Sequence, residues 1–333
     1  YDNSLTVVTS GLFLMAAKRQ PRLINRQVAE AARQRDELAA GLLAPAAHIS
    51  PKFLYDSLGS RLFSAITEVE EYYPTRIEAG IFITHAEQIA ASIGPGCTLV
   101  DLGAGDCAKA RNLFPSLKPA RYVAVDISVE FLAESLDYLQ FRHPEMDVTG
   151  LGCDFSSQLD LPDEIGNGPR VLFYPGSSIG NFTPDQALDF LQQARNTSQG
   201  GGLLIGIDLV KPQTILDAAY DDALGITAAF NLNLLNAVNR QLGANFAVSN
   251  FRHIAFFNAE QSRIEMHLEA RHTNTVTWPG GERCFVAGER IHTENSYKYT
   301  VDRANSLLNA AGFRRTRCWT DDKGWFALFW ATV

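Results

Sequence analysis

The stretch LVDLGAGDCAKAR, residues 99–111, starts as an apolar strand, tightens through two glycines and leaves as a helix. Gly103 and Gly105 let a ligand approach the backbone closely, and the first helical turn offers N–H groups without partners inside the helix. A strand feeding a helix in this way is the opening unit of an open α/β sheet, which binds ligands at its carboxyl edge. The string GAGDCA also fits the GxGxxA dinucleotide fingerprint. Taken alone, the loop suits a nicotinamide site, an adenosylmethionine site or a turn without a ligand.

Outward from this loop the pattern repeats. Strands are predicted at Thr98–Leu102, 122–126, 147–151, 171–174 and 203–208, with helices at 106–114 and Val129–Arg142. A further helix begins at Pro184, with Thr183 as N-cap and Gln186 closing a capping box. Strands separated by helices imply a parallel sheet with right-handed crossovers. An acid follows each of the first three strands. Asp126 suits ribose hydroxyls. Asp154 suits an adenine amino group, with Phe155 packed on the ring; either acid also reads as a solvated strand end. Asp101, just before the glycines, suits an amino-acid ammonium and would face pyrophosphate in a dinucleotide site. The set favours S-adenosylmethionine over NAD.

The fourth strand leads into FYPGSSIGNFTP, residues 173–184. Its small residues leave room at the carboxyl edge, and the neutral Asn181 amide can donate to a carboxylate. Asn181 also reads as a plain turn residue before the Thr183 cap.

The alternation breaks after Lys211. Two helices (215–222 and 227–242) precede antiparallel strands at 251–257 and 263–271, a strand at 275–278 and a Pro279-Gly280-Gly281 turn. A helix at 301–311 and a hairpin of Arg315–Thr320 with 325–333 close the chain. Near the start, helices at 27–43 and 77–93 flank irregular, aromatic-rich segments. We divide the chain into a nucleotide-type core, 78–210 plus 299–333, and a second domain, 1–77 plus 211–298.

Bulk properties narrow the ligand. The 333 residues carry a net charge of -8, are 46% hydrophobic and 20% charged, and show no Lys/Arg cluster. Nucleic acid and anionic membranes are poor partners for such a chain; a small molecule fits better. Five cysteines without a CxxC pair point to a reducing, cytoplasmic setting, and no zinc or HExxH spacing supports a metal. Residues 5–17 are apolar but too short to span a bilayer.

The motifs KFLYDSLGSRLF (52–63), EYYPTR (71–76), GSSIGNFTP (176–184), GIDLVK (206–211), AYDDALGITAAFN (219–231), RIEM (263–266) and ENSYK (294–298) together resemble the L-histidine Nα-methyltransferases of ergothioneine biosynthesis, which make hercynine. The resemblance runs from about Pro51 onward. It implies an α/β chain with a Rossmann-like SAM-dependent methyltransferase core and an inserted α+β substrate-binding domain, acting as a monomer on L-histidine without a metal.

It also implies roles. Gly103, Lys109, Asp126, Asp154 and Phe155 match cofactor residues, beside Asp101 and Gly105. Asn181 and Tyr220 match residues holding the substrate carboxylate, and Tyr55 and Tyr72 match tyrosines near the amine. Glu294 and Ser296 match the pair that reads the imidazole, and Met266 a residue lining the ring pocket. Two apart on a strand, Glu294 and Ser296 point the same way. A solvent-facing strand for this pair, and a core role for Met266, fit the spacing equally. The seven histidines show no pattern and read as structural or surface residues.

Overall fold

The computed structural model describes residues 19–26, 31–156 and 158–333. The apolar stretch 5–17 and the start of the helix expected at 27–43 lie outside them. An eight-stranded sheet carries the fold. Its strands are β1 (Arg22–Asn25), β2 (Thr98–Leu102), β3 (Arg121–Asp126), β4 (Asp147–Gly152), β5 (Arg170–Tyr174), β6 (Gly202–Asp208), β12 (Arg315–Thr320) and β13 (Phe326–Thr332). They run in the order β1-β4-β3-β2-β5-β6-β13-β12. The first six pair in parallel, and the β12–β13 hairpin closes the sheet antiparallel against β6. The strand order reverses between β2 and β5, which opens a crevice at their carboxyl ends.

Both sheet faces are covered, so the inner strands read as continuous apolar runs rather than alternations. Helices α3 (Tyr73–Ile93), α4 (Ala108–Leu117) and α5 (Val129–Arg142) pack one face through Phe82, Leu113 and Leu136. Helices α6 (Pro184–Thr197) and α9 (Val301–Ala310) pack the other through Phe190 and Leu308. Thr183 and Gln186 form the expected capping box at the start of α6.

A separate apolar cluster unites residues 38–73 with residues 216–291. Here α1 (Ala31–Leu43), α2 (Ser57–Ile66), α7 (Gln213–Tyr220) and α8 (Ile226–Leu242) pack on a three-stranded sheet, β7 (Phe251–Asn258), β8 (Arg263–Ala270) and β11 (Arg290–Tyr297). Strands β9 (Asn274–Trp278) and β10 (Gly281–Phe285) form a hairpin around the Pro279-Gly280 turn.

Three features depart from the sequence reading. Strand β1, assigned there to the second domain, pairs with β4 at the edge of the core sheet. It is a short polar edge strand, and only its tertiary partner marks it as β structure. Helix α3 begins at Tyr73 rather than Ile77, because Pro74 is well placed in a first turn, and the boundary at 77/78 falls inside this helix. Strand β10 and the part of β11 before Glu294 carry too many polar residues to read as strands. The passages entering and leaving the insertion run side by side, with Tyr299 N donating to Asp208 O at 3.1 Å and Val210 N to Tyr299 O at 2.9 Å. Among the described residues, no helix is long and apolar enough to cross a membrane.

Candidate active site

The GAGD loop folds over the end of β3. Gly103 N and Ala104 N both donate to Val125 O, at 2.8 and 3.1 Å. Gly103 and Gly105 have φ of +76° and +53°, in the left-handed region that favours glycine. A Cβ on Gly103 would meet the Phe155 ring at 3.8 Å, so Phe155 borders the loop. Asp126 accepts from Gly105 N and Ser128 N, each at 2.8 Å. Burial raises its carboxyl above the ordinary range, against the pull of those N–H groups.

Asp101 is 1% exposed. One of its oxygens takes the Tyr122 hydroxyl at 2.7 Å, while the other, Oδ1, is buried without a partner. Burial pushes this carboxyl up to about 7, against the Tyr122 bond. An orphaned carboxylate oxygen beside two strained glycines fits an ammonium-bearing cofactor. Asp154 accepts from Ser156 and, at 3.0 Å, from Lys52 Nζ. Burial opposes ionisation there, but the Ser156 hydroxyl and the Lys52 charge outweigh it and hold the carboxyl low. Lys109 is committed to Glu78 at 2.7 Å. The other Glu78 oxygen takes Gly176 N at 2.8 Å, so one carboxylate joins the cofactor loop to the GSS turn.

That turn is held against β11. A Cβ on Gly180 would stand 2.9 Å from Tyr297 O and 3.4 Å from Ser296 Oγ, so only glycine permits the approach. Next to it, Asn181 ends a 3-10 turn, half-buried, with its side-chain amide unengaged within the described residues. Ser177, at φ +60°, accepts from Asp208 N through its hydroxyl oxygen at 2.8 Å.

On β8 and β11, Met266 stands directly opposite Glu294, and Ile264 opposite Ser296. A register shift between His292 and Glu294 sets this pairing. Neither acid nor serine faces solvent: Glu294 is 7% exposed and Ser296 4%. Glu294 Oε2 is buried with no partner, and burial pushes the carboxyl up to about 7 against the Lys298 charge. Ser296 Oγ lies 2.8 Å from the Tyr220 hydroxyl. Met266, 1% exposed, belongs to the second cluster and also flanks Glu294, so it serves both readings.

Tyrosines close the pocket. Tyr72 and Tyr220 meet edge to face with centroids 6.3 Å apart, and Tyr55 packs at 5.6 Å on both Phe63 and Phe230. Asp56 fixes Tyr55 by capping α2 at Gly59 N and taking Asn233 of α8. Burial first, then the Glu294 charge and neighbouring hydroxyls, push the Tyr55 and Tyr72 phenols well above their usual range. At neutral pH both are neutral hydroxyls facing a carboxyl.

Sequence reasoning missed the charged support under the pocket. Lys298 Nζ reaches Asp208 Oδ2 at 2.8 Å, and Asp208 also binds Lys211 and the Tyr73 hydroxyl. Asp208 and Lys298 are each 1% exposed. Their signal lay in GIDLVK and ENSYK, where a charge beside apolar residues marks a paired buried ion. The histidines also gather more than expected: Glu265, His267 and His292 place ligand atoms within 4.8 Å of one another. Glu265 already accepts from Arg263, Asn258 and His267; Glu265 and His267 alternate with Met266 on β8, and His292 pairs with His267 from β11.

Residues 34–333 match the family described as histidine-specific methyltransferase, SAM-dependent. The chain is 39% identical to the histidine N-alpha-methyltransferase of Mycolicibacterium smegmatis over 301 residues, covering 88% of this chain and 93% of that one. It is 37% identical to the protein of the same name from Mycobacterium tuberculosis over 302 residues, with the same two coverages, 88% and 93%. Ergothioneine biosynthesis protein 1 of Neurospora crassa is 31% identical over 277 residues, covering 80% of this chain and 31% of that protein. The nicotinamide reading of the glycine loop falls with these matches. A methyltransferase crevice at the β2–β5 switch point, a carboxylate-and-tyrosine pocket above it and a family match over nine-tenths of the chain agree: this protein belongs to the SAM-dependent histidine-specific methyltransferase family.

Proposed function

We propose that the chain methylates the α-amine of L-histidine and repeats the transfer until hercynine, the trimethylated product, is formed for ergothioneine synthesis. The observation that carries this reading is the buried, unpartnered Glu294 Oε2 beside the Ser296 hydroxyl. A carboxylate and a hydroxyl together match the two imidazole nitrogens.

Bound S-adenosylmethionine supplies an electrophilic methyl on a sulfonium. Asp101 would take its ammonium, Asp126 its ribose and Asp154 with Phe155 its adenine, beside Gly103, Gly105 and Lys109. The protein then has to present a neutral amine in line, an alignment worth about 7–11 kcal/mol of barrier in well-oriented systems. Asn181 and Tyr220 hold the substrate carboxylate, and Glu294, Ser296 and Met266 hold the ring. Two fixed ends leave the amine between them, near Tyr55 and Tyr72.

Those tyrosines are too firmly protonated to act as phenolate bases. Their oxygens instead accept N–H hydrogen bonds and relay the amine proton to solvent. As methyl groups accumulate, their ring faces favour the growing cation by about 0.5–2 kcal/mol each. A methylation assay over the free amino acids with mass detection tests the proposal. Trimethylhistidine as the dominant product is expected; methylation of another amino acid with histidine untouched would overturn it.

A further inference from the structure

Beneath Ser296 and Tyr220 lies an ammonium with every proton assigned. Lys298 Nζ stands 2.8 Å from Asp208 Oδ2, 2.8 Å from Ser296 Oγ and 3.2 Å from the Tyr220 hydroxyl. It is fully buried, and Asp208 is fixed in turn by Lys211 and Tyr73. An ammonium carries three protons and accepts none. Both hydroxyl oxygens therefore accept from Lys298, and neither can return a proton to it.

The remaining count is short. Ser296 and Tyr220 own two hydroxyl protons, and one is used in the 2.8 Å bond between them. The second has no acceptor among the described residues, because neither hydroxyl makes any other side-chain bond. Tyr220 donates in that bond, so Ser296 Oγ accepts from both Tyr220 and Lys298, its lone pairs are filled, and the proton left for a ligand is its own. Replacing the ammonium by an apolar group would free lone pairs on both oxygens and let the pair act as an acceptor as readily as a donor.

We propose that Lys298 is a specificity-determining positioning residue: together with Tyr220 it fills both lone pairs of Ser296 Oγ, so that Ser296 meets the ligand as a donor. Beside the Glu294 carboxylate, the pocket then displays one donor and one acceptor. Its complement is a neutral imidazole, with one N–H and one bare nitrogen. A pyrrole or indole ring, which has an N–H and no bare nitrogen, leaves the surplus proton unpaired. Burying an unpaired donor weakens binding by about 10–100-fold. The proposal rests on the reading that Glu294 and Ser296 hold the substrate ring.

Calorimetry on the full chain saturated with S-adenosylhomocysteine tests it, using histidine and its pyrrole analogue, in which the bare ring nitrogen is replaced by CH. Wild type is expected to prefer histidine by about 10–100-fold. In Lys298→Met this ratio shrinks at least about fivefold, while S-adenosylhomocysteine affinity is kept; an unchanged ratio overturns the proposal. Tyr220→Phe covers the case in which Lys298→Met does not fold. It frees the lone pair on Ser296 that the Tyr220 hydroxyl occupied, so Ser296 can accept from a ring N–H and the ratio shrinks at least about threefold. An unchanged ratio in Tyr220→Phe shows that filled lone pairs do not hold Ser296 as a donor and overturns the role of Lys298. If wild type binds both ligands equally, or binds no histidine, the reading of the ring site itself fails, a distinct result.

Discussion

Glu78 and Lys109 form an ion pair of 2.7 Å in which the carboxylate is 1% exposed and the lysine about one-third exposed. The two partners are not equivalent. Losing Glu78 lets Lys109 turn to water, whereas losing Lys109 strands a buried carboxylate. Lys109→Met should therefore cost about 3 kcal/mol of stability and Glu78→Gln only about 1–2 kcal/mol. Urea unfolding of both variants reads the difference, and equal losses would contradict it.

Among the described residues, Asn181 and Glu294 make no side-chain hydrogen bond that supports the fold. Asn181→Ala and Glu294→Ala are expected to fold and to bind S-adenosylmethionine like wild type, yet to lose histidine turnover by about 100-fold or more. Unchanged histidine kinetics in both would remove them from the site.

Glu294 makes the stability of the ligand-free protein depend on pH. Burial raises its carboxyl from 4.5 to about 7, with Lys298 opposing. The folded state favours the neutral form, so this contribution is intact below about pH 4.5 and is lost as pH rises through about 7. The loss amounts to roughly 3 kcal/mol. The stability of Glu294→Gln relative to wild type should rise by about 2.5 kcal/mol between pH 5 and pH 8. Histidine binding, which needs the carboxylate, should strengthen over the same interval in wild type and not in the variant.

Asp101 is also raised to about 7, and its free oxygen borders the glycine loop. Asp101→Asn keeps the size and the Tyr122 contact but removes the charge. S-adenosylmethionine affinity, read by calorimetry, should fall about tenfold or more while histidine still protects the protein thermally. An unchanged cofactor affinity would place the ammonium elsewhere.

Glu265, His267 and His292 gather on the face of β8 opposite Met266. Strand alternation sets them on the sheet face away from Met266 and Glu294, and so away from the proposed ring site. His267→Ala, or dialysis against a chelator, should leave histidine turnover within about twofold of wild type. A chelator-sensitive rate restored by one metal would place an ion in the mechanism.

The order of elements from β2 to β6, the capping box at Thr183 and the closing hairpin were legible because each follows from local periodicity, turn chemistry or an acid at a strand end. The strand-end acids Asp101, Asp126 and Asp154 were legible for the same reason. Strand β1 was not, since RLIN becomes a strand only when β4 supplies its hydrogen bonds. Nor was Lys52, whose partner Asp154 lies 102 residues away.

The one-dimensional chain determined a parallel sheet with a glycine crevice and an inserted second domain, since hydrophobic period and turn residues act over a few neighbouring positions. Tertiary structure alone decided which polar groups are buried and what they meet. It set Glu294 at the pocket without a partner, and it stacked Asp208, Lys298, Ser296 and Tyr220 into one chain of bonds. Burial and long-range hydrogen bonding depend on surfaces that exist only once distant segments have packed.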